Sequence, residues 1–192
     1  LSLALVRQRV RKLQGKPVHG DGSIRTRLLS LLPFQLTASQ TQAITEILTD
    51  MESPERMLRL LQGDVGSGKT AVALFAMAAC TEAGGQAVLM APTEILAQQH
   101  FATIQPLAQA AGVTVDVLTG RTKGKERTAI LQRIESGETK MIIGTHALFQ
   151  ESVNYHDLLL AVVDEQHRFG VHQRLRLTAK GSAPHMLVMT AT

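Results

Sequence analysis

The sequence predicts an α/β domain, a mostly parallel sheet with helices on both faces. Three observations carry that prediction. Six apolar runs alternate with helical patterns through most of the 192 residues. The runs are apolar throughout rather than alternating, as strands buried on both faces of a sheet are. The first run leads into GDVGSGKT (63–70) and then a helical pattern, the strand–loop–helix setting that a phosphate loop requires.

Taken in order, Leu1, Leu3, Val6, Val10 and Leu13 recur near helical spacing and predict an amphipathic helix over 1–13, with Arg7 and Arg11 outward. GKPVHGDGS (15–23) is rich in breakers and reads as a linker. A short helical pattern over 24–32 stops at Pro33. Thr37 can cap a helix running to about residue 51, since its hydroxyl meets the orphan amides of a first turn. Strands are expected at 57–62, 86–90, 113–118, 140–143, 158–163 and 185–189, with helices at 69–83, 93–110, 122–136 and 171–179. Pro106 is expected to end the helix over 93–110 early or to kink its last turn.

Small, hydroxyl-bearing or charged residues gather at the carboxyl end of each run. In an open parallel sheet the carboxyl edge is where ligands bind, so one rim is expected to hold the working surface. At its centre the loop glycines let backbone amides curl around an anion that Cβ atoms would obstruct. Gly63, Asp64, Val65, Gly66, Ser67, Gly68, Lys69 and Thr70 are therefore the candidate nucleotide cradle. Lys69 supplies a point charge for the β- and γ-phosphates, and Thr70 a hydroxyl for Mg²⁺. The run LLLAVV (158–163) delivers Asp164 and Glu165 at its tip. Asp164 suits Mg²⁺, which takes one or two carboxylates with phosphate oxygens. Glu165 can orient and deprotonate an attacking water. His167, beside that pair, reads by itself as a structural hydrogen-bond partner, and no metal-ligand spacing supports zinc. The chemistry implied is that of a nucleoside triphosphate with Mg²⁺.

Composition bounds the rest. A hydrophobic share of 44% with 19% charged residues describes a soluble globular chain, and no apolar run reaches the ~20 residues of a membrane span. The charges of LSLALVRQRVRKL come after its apolar stretch, the wrong order for a signal peptide. With no initiator Met, the chain is expected to be a piece of a longer protein. Cys80, the lone cysteine, sits within a helical pattern and is expected to be a buried, inert thiol, which fits a reducing, cytoplasmic setting. Residues 1–27 hold seven of the 20 Lys/Arg and one of the 16 Asp/Glu, a net of +6, against −2 for the remainder. Such a segment is either a nucleic-acid contact or a solvated face.

Together GDVGSGKT (63–70), APTEILAQQH (91–100), LTG (118–120), GTHAL (144–148), DEQHRFG (164–170) and TAT (190–192) resemble motifs I to III of a superfamily 2 helicase. LPFQLTASQ (32–40) and DEQHRFGV are most similar to the RecG-type ATP-dependent DNA helicases. The resemblance implies ATP as the nucleotide and a RecA-like P-loop NTPase domain, the first of two motor domains, over 28–192. Residues 1–27 would be a basic helical connector from a preceding domain. It implies that Gln40 reads the adenine edge, and that His167 links hydrolysis to Thr190 and Thr192, which report ATP state toward DNA. Thr93, Thr119, Gly120 and Thr145 would meet the nucleic-acid backbone, fixing register without reading sequence. His146 and Arg121 are as readily structural. The implied activity is translocation on branched or forked double-stranded DNA, with fork remodelling and Holliday-junction migration in repair and recombination. A single-stranded-DNA-binding protein is an implied partner, and no membrane is.

At 3% aromatic residues, the chain has few platforms for stacking bases, which agrees with a motor that tracks phosphates. The family's second RecA-like domain, with its arginine finger, is not in this sequence. Such a finger is worth about 10³–10⁵ in rate in other NTPases, so the isolated chain is expected to hydrolyse ATP poorly and not to unwind DNA. Two alternatives remain open at this point: another superfamily 2 motor, such as a coupling translocase or RNA helicase, and a nucleotide switch with no motor.

Overall fold

A computed structural model of the chain describes residues 4–7, 14–165 and 184–192. Among these, seven strands form one sheet in the order β1-β2-β7-β6-β3-β5-β4. They are β1 (Ala4–Arg7), β2 (Leu58–Gly63), β3 (Gln86–Met90), β4 (Val115–Leu118), β5 (Met141–Gly144), β6 (Leu158–Glu165) and β7 (His185–Ala191). All pairs are parallel except β1 with β2. The helices are α1 (Ser23–Leu31), α2 (Ala38–Glu52), α3 (Lys69–Glu82), α4 (Glu94–Ala110) and α5 (Gly124–Ser136), with a 3-10 turn at His146–Phe149.

The unbroken apolar runs are explained by two cores, one on each face of the sheet. Ala87 and Leu89 of β3 and Leu160 and Val162 of β6 pack on the side of α1–α4. Their neighbours Val88, Met90, Ala161 and Val163 face the opposite side, with Ile130 and Ile134 of α5. Successive strand residues point to opposite faces, so a strand covered on both sides has no polar position. The central helix α3 is buried continuously over 72–80, Cys80 included, and burial pushes the Cys80 thiol well up from its ordinary value. The inert thiol is as expected. No helix among the described residues is long and apolar enough to cross a membrane.

Four features correct the sequence reading. Residues 4–7 form a strand, not part of a helix. The periodicity there is local and short, and an isolated helix of that length is marginal. Pairing Ala4 with Gln62 through Arg7 with Arg59 instead occupies the open edge of β2. The rest of the expected helix, 1–3 and 8–13, lies outside the described residues, as does the helix expected over 171–179.

Second, the expected linker is packed onto the domain. Val18 is buried, and its amide donates to Met51 O at 2.8 Å. Glu82, fully buried at the end of α3, accepts from the backbone amides of Gly22 and Arg25 and pairs with the Arg25 guanidinium at 2.9 Å. That carboxylate caps α1, whose N-cap Gly22 has no side chain to do so. Third, a boundary at 27/28 would cut through α1. Lys16, Arg25 and Arg27 of the basic segment also have partners inside the domain: Asp157, Glu82 and Ala111 O. Fourth, of the two outcomes expected at Pro106 the early end does not occur: α4 continues through it to Ala110. Buried Ala108 and Ala111 hold the last turn, which closes with the Val113 amide donating to Ala108 O at 2.8 Å. Packing there outweighs the one backbone bond that proline removes.

A nucleotide-type site at the carboxyl rim

The strand order decides where the chemistry meets. β7 lies between β2 and β6, pairing Gly63 with Ala191 on one side and Glu165 with Thr190 on the other. Neighbouring strands are about 4.8 Å apart, so the phosphate loop after β2 and the acidic tip of β6 open onto one short stretch of rim.

The loop is built by its glycines. Gly66 and Gly68 have φ of 79° and 81°, the left-handed region. A Cβ on Gly68 would stand 2.1 Å from Gln40 Nε2. Lys69 turns its ammonium back over the loop, donating to Gly63 O at 2.7 Å and Asp64 O at 2.9 Å. It is thereby held at the centre of the curl, at the N-terminus of α3, where backbone amides and helix dipole favour an anion. Ser67 Oγ is buried with no partner among the described residues.

Gln40, expected at the adenine edge, ties two elements of the fold together through its side-chain amide, which keeps one further hydrogen and one further lone pair. It is 6% exposed. Its Oε1 accepts from the Thr37 amide at 2.9 Å while Thr37 Oγ1 accepts from the Gln40 amide, a reciprocal capping box on α2. Its Nε2 donates to Ser67 O at 3.1 Å. Gln40 therefore braces the phosphate loop against the start of α2.

Thr70 and Asp164 come together through a residue that the sequence reading gave no role. His100 on α4 lies with Nδ1 3.5 Å from Thr70 Oγ1 and Nε2 2.7 Å from Asp164 Oδ2. The ring is 13% and the carboxylate 14% exposed. The available signal was a histidine on the inward stripe of Ala97, Ile104 and Ala108, a polar interruption of a core face. A hydroxyl and a carboxylate are the hard oxygen donors that magnesium takes alongside phosphate and water. Among the described residues no group of three or more His, Cys, Asp or Glu could hold a metal. The donor set fits a magnesium ion completed by its nucleotide, not an all-protein site.

Glu165 closes β6 directly after Asp164; His167 lies outside the described residues. Thr192 reaches the phosphate loop itself: its hydroxyl donates to Asp64 Oδ1 and its amide to Gly63 O at 3.3 Å. Thr190, half-buried, sits opposite Gln62 and Glu165. Val65 is 82% exposed.

The four residues expected on nucleic acid divide. Thr93 and Gly120 are exposed at the rim. Thr93 Oγ1 caps α4 by accepting from the Leu96 amide, and Glu94 beside it pairs with Arg121 at 2.6 Å. Thr119 and Thr145 are buried. Thr119 Oγ1 accepts from the Arg121 amide within its turn, and Thr145 Oγ1 has no partner among the described residues. Both residues are about 3% exposed, so their side chains lie beneath the rim surface. His146 is exposed. The single tyrosine is half-buried: the Tyr155 hydroxyl donates to Leu148 O at 2.7 Å, and burial pushes it well up.

Comparison with known proteins gives consistent results. Residues 37–192 match the DEAD/DEAH box helicase family. The chain is 46% identical to the ATP-dependent DNA helicase RecG of Haemophilus influenzae, covering 100% of this chain and 28% of that protein. It is 51% identical to RecG of Bacillus subtilis, over 86% of this chain and 24% of the relative. The chain thus spans about a quarter of the length of the curated relatives it matches. Among solved structures, RecG bound to a three-way DNA junction superposes with a TM-score of 0.79 at 40% identity, over 93% of this chain and 24% of that one. The likeness to the DUF1998 helicase MrfA, with a TM-score of 0.66 at 18% identity, shows the fold alone.

Proposed function

This chain belongs to the DEAD/DEAH box helicase family, and from that premise we propose that it is the ATP-binding first motor domain of a RecG-like, ATP-driven translocase on double-stranded DNA. The longer protein would act on forked and branched DNA, remodelling stalled forks and migrating Holliday junctions, in a cytoplasmic setting and with a single-stranded-DNA-binding protein as partner. The observation that carries this reading is the rim itself. The Lys69 ammonium, the Thr70 hydroxyl and the Asp164 carboxylate share one end of the sheet, the last two linked through His100. The 40% identity to RecG on a three-way junction supports the choice of DNA substrate.

In this reading the loop amides and Lys69 bind and orient the triphosphate. Thr70 and Asp164 would hold Mg²⁺, which when bound neutralises charge on the phosphate oxygens. Glu165 orients water for in-line attack and takes its proton. Gln40 keeps the loop in its binding shape. Thr93 and Gly120 meet the DNA backbone at the exposed rim, where contacts fix position rather than sequence.

The experiment is ATP turnover by the full-length protein, with Glu165→Gln beside the wild type. A forked duplex should stimulate wild-type turnover more than linear duplex or RNA, and the variant should bind ATP yet lose that turnover by at least about 100-fold. Stimulation by RNA in preference to forked DNA would overturn the substrate reading, and unchanged turnover in the variant would overturn the mechanism.

A further inference from the structure

We propose that His100 is a positioning residue for the magnesium ligands, holding the Thr70 hydroxyl and the Asp164 carboxylate in the orientations that a bound Mg²⁺ uses. The inference rests on the nucleotide-site reading above and adds to it a residue from a third element, α4.

A carboxylate accepts, so the short contact of 2.7 Å between His100 Nε2 and Asp164 Oδ2 puts the ring hydrogen on Nε2. In the neutral ring Nδ1 is then an acceptor, and the Thr70 hydroxyl 3.5 Å away is placed to donate to it. With its proton given to the imidazole, Thr70 would keep its oxygen lone pairs free to help hold the ion. Asp164, steadied through Oδ2, would hold it with its carboxylate, directly or through a water. One ring thus sets the direction of two metal ligands that come from a helix and a strand far apart in sequence. Partners of this kind fix ligand orientation, and their loss costs metal affinity about 10–100-fold.

The placement of His100 supports a built contact rather than a chance one. Its neighbours on the same stripe of α4, Ala97 and Ile104, are fully buried, so the helix is anchored by packing on both sides of the histidine. The ring is only 13% exposed, and few alternative rotamers are open to it in such a position. A plain structural histidine would contribute to stability but would leave the metal dependence of nucleotide binding untouched.

That difference is the test. The full-length protein is titrated with ADP by calorimetry in the presence of Mg²⁺ and in its absence with chelator, for the wild type, His100→Ala and His100→Gln. The readout is the factor by which Mg²⁺ tightens ADP binding. His100→Ala should reduce that factor about 10-fold while Mg²⁺-free binding stays within about twofold. His100→Gln, whose amide can still donate to Asp164, should recover part of it and serves as the folded control. An unchanged factor in both variants overturns the inference, as does an equal loss with and without Mg²⁺. ADP binding that Mg²⁺ does not tighten in the wild type would overturn this inference alone, whereas failure of the wild type to bind ADP at all would remove the nucleotide-site reading, and this inference with it.

Discussion

Gln40 Nε2 donates to Ser67 O at 3.1 Å and stands where a Cβ on Gly68 would have to be. One amide therefore braces the curl of the phosphate loop and packs close against a glycine that its left-handed backbone already favours. Removing the side chain in Gln40→Ala breaks half of the capping box on α2 and frees the loop. The expected loss is about 1–2 kcal/mol of stability, with weaker ATP binding at temperatures where the protein is still folded. Thermal unfolding and ATP titration check the two effects separately. Full retention of affinity would mean that the brace does not shape the loop.

The two left-handed glycines of the loop should respond unequally to alanine. Both substitutions meet the same backbone penalty of about 1–2 kcal/mol for a left-handed residue. At Gly66 the new Cβ meets nothing within 4 Å, while at Gly68 it would overlap Gln40 Nε2 at 2.1 Å. Gly66→Ala should fold and bind ATP with reduced affinity. Gly68→Ala should displace Gln40 and lose binding by a further factor of about 10 or more. Equal effects in a side-by-side titration would argue against the contact.

Much of the fold and of the site is legible in the residues alone, and the reason is physical. Strands buried on both faces leave continuous apolar runs, as β3 and β5 do, and all of β2 to β7 fall within about two residues of the expected bounds at each end. The phosphate loop carries its mechanism in its glycines and lysine. The features that escape depend on distant partners. β1 is a strand only because the edge of β2 is open beside it. His100 gains its meaning from a carboxylate 64 positions away. The segment over 15–23 reads as a linker by composition because its anchor, Glu82, lies on another helix.

Glu82 supplies the next prediction. Its buried carboxylate satisfies the amides of Gly22 and Arg25 as well as the Arg25 guanidinium. Glu82→Ala leaves those donors unpaired against the core, at a cost of about 2–3 kcal/mol given that Arg25 retains some access to water. Hydrogen exchange should accelerate selectively in α1. Exchange rising uniformly over the whole domain would mean that α1 is not an independently anchored element.

His185 should make stability depend on pH. Its Nδ1 accepts from the Met57 amide at 2.9 Å, so Nε2 carries the hydrogen and donates to Lys16 O at 2.8 Å. Protonating Nδ1 would set two N–H groups against each other. Burial holds the ring below its ordinary value of 6.5, and the Arg56 charge acts in the same direction, while the Lys16 carbonyl and Asp50 oppose it. The unfolded chain then binds a proton that the folded chain refuses, so stability is full above about pH 6.5 and falls as the pH drops below it, by up to about 1.4 kcal/mol per unit for this one group. In His185→Gln that share of the slope should vanish. Denaturant unfolding at pH 7.5 and 5.5 checks it; a gap between variant and wild type that does not narrow at low pH would rule out the assignment.

The bond from Thr192 Oγ1 to Asp64 bears on coupling. Strand β7 ends against the phosphate loop, and the Thr192 amide adds a second tie at Gly63 O. A rearrangement of the loop around its phosphates is therefore felt at the end of β7 without passing through the acidic strand. Thr192→Val keeps the size and the backbone tie but cannot donate to Asp64. In the full-length protein the variant should bind ATP within about twofold of the wild type, yet lose most of the acceleration of turnover by forked DNA, on the order of 10-fold. Asp64→Asn keeps an acceptor oxygen for the same hydroxyl and should be milder. If Thr192→Val weakens ATP binding and leaves the DNA response intact, the threonine serves the loop's shape and not the exchange of information between the two sites.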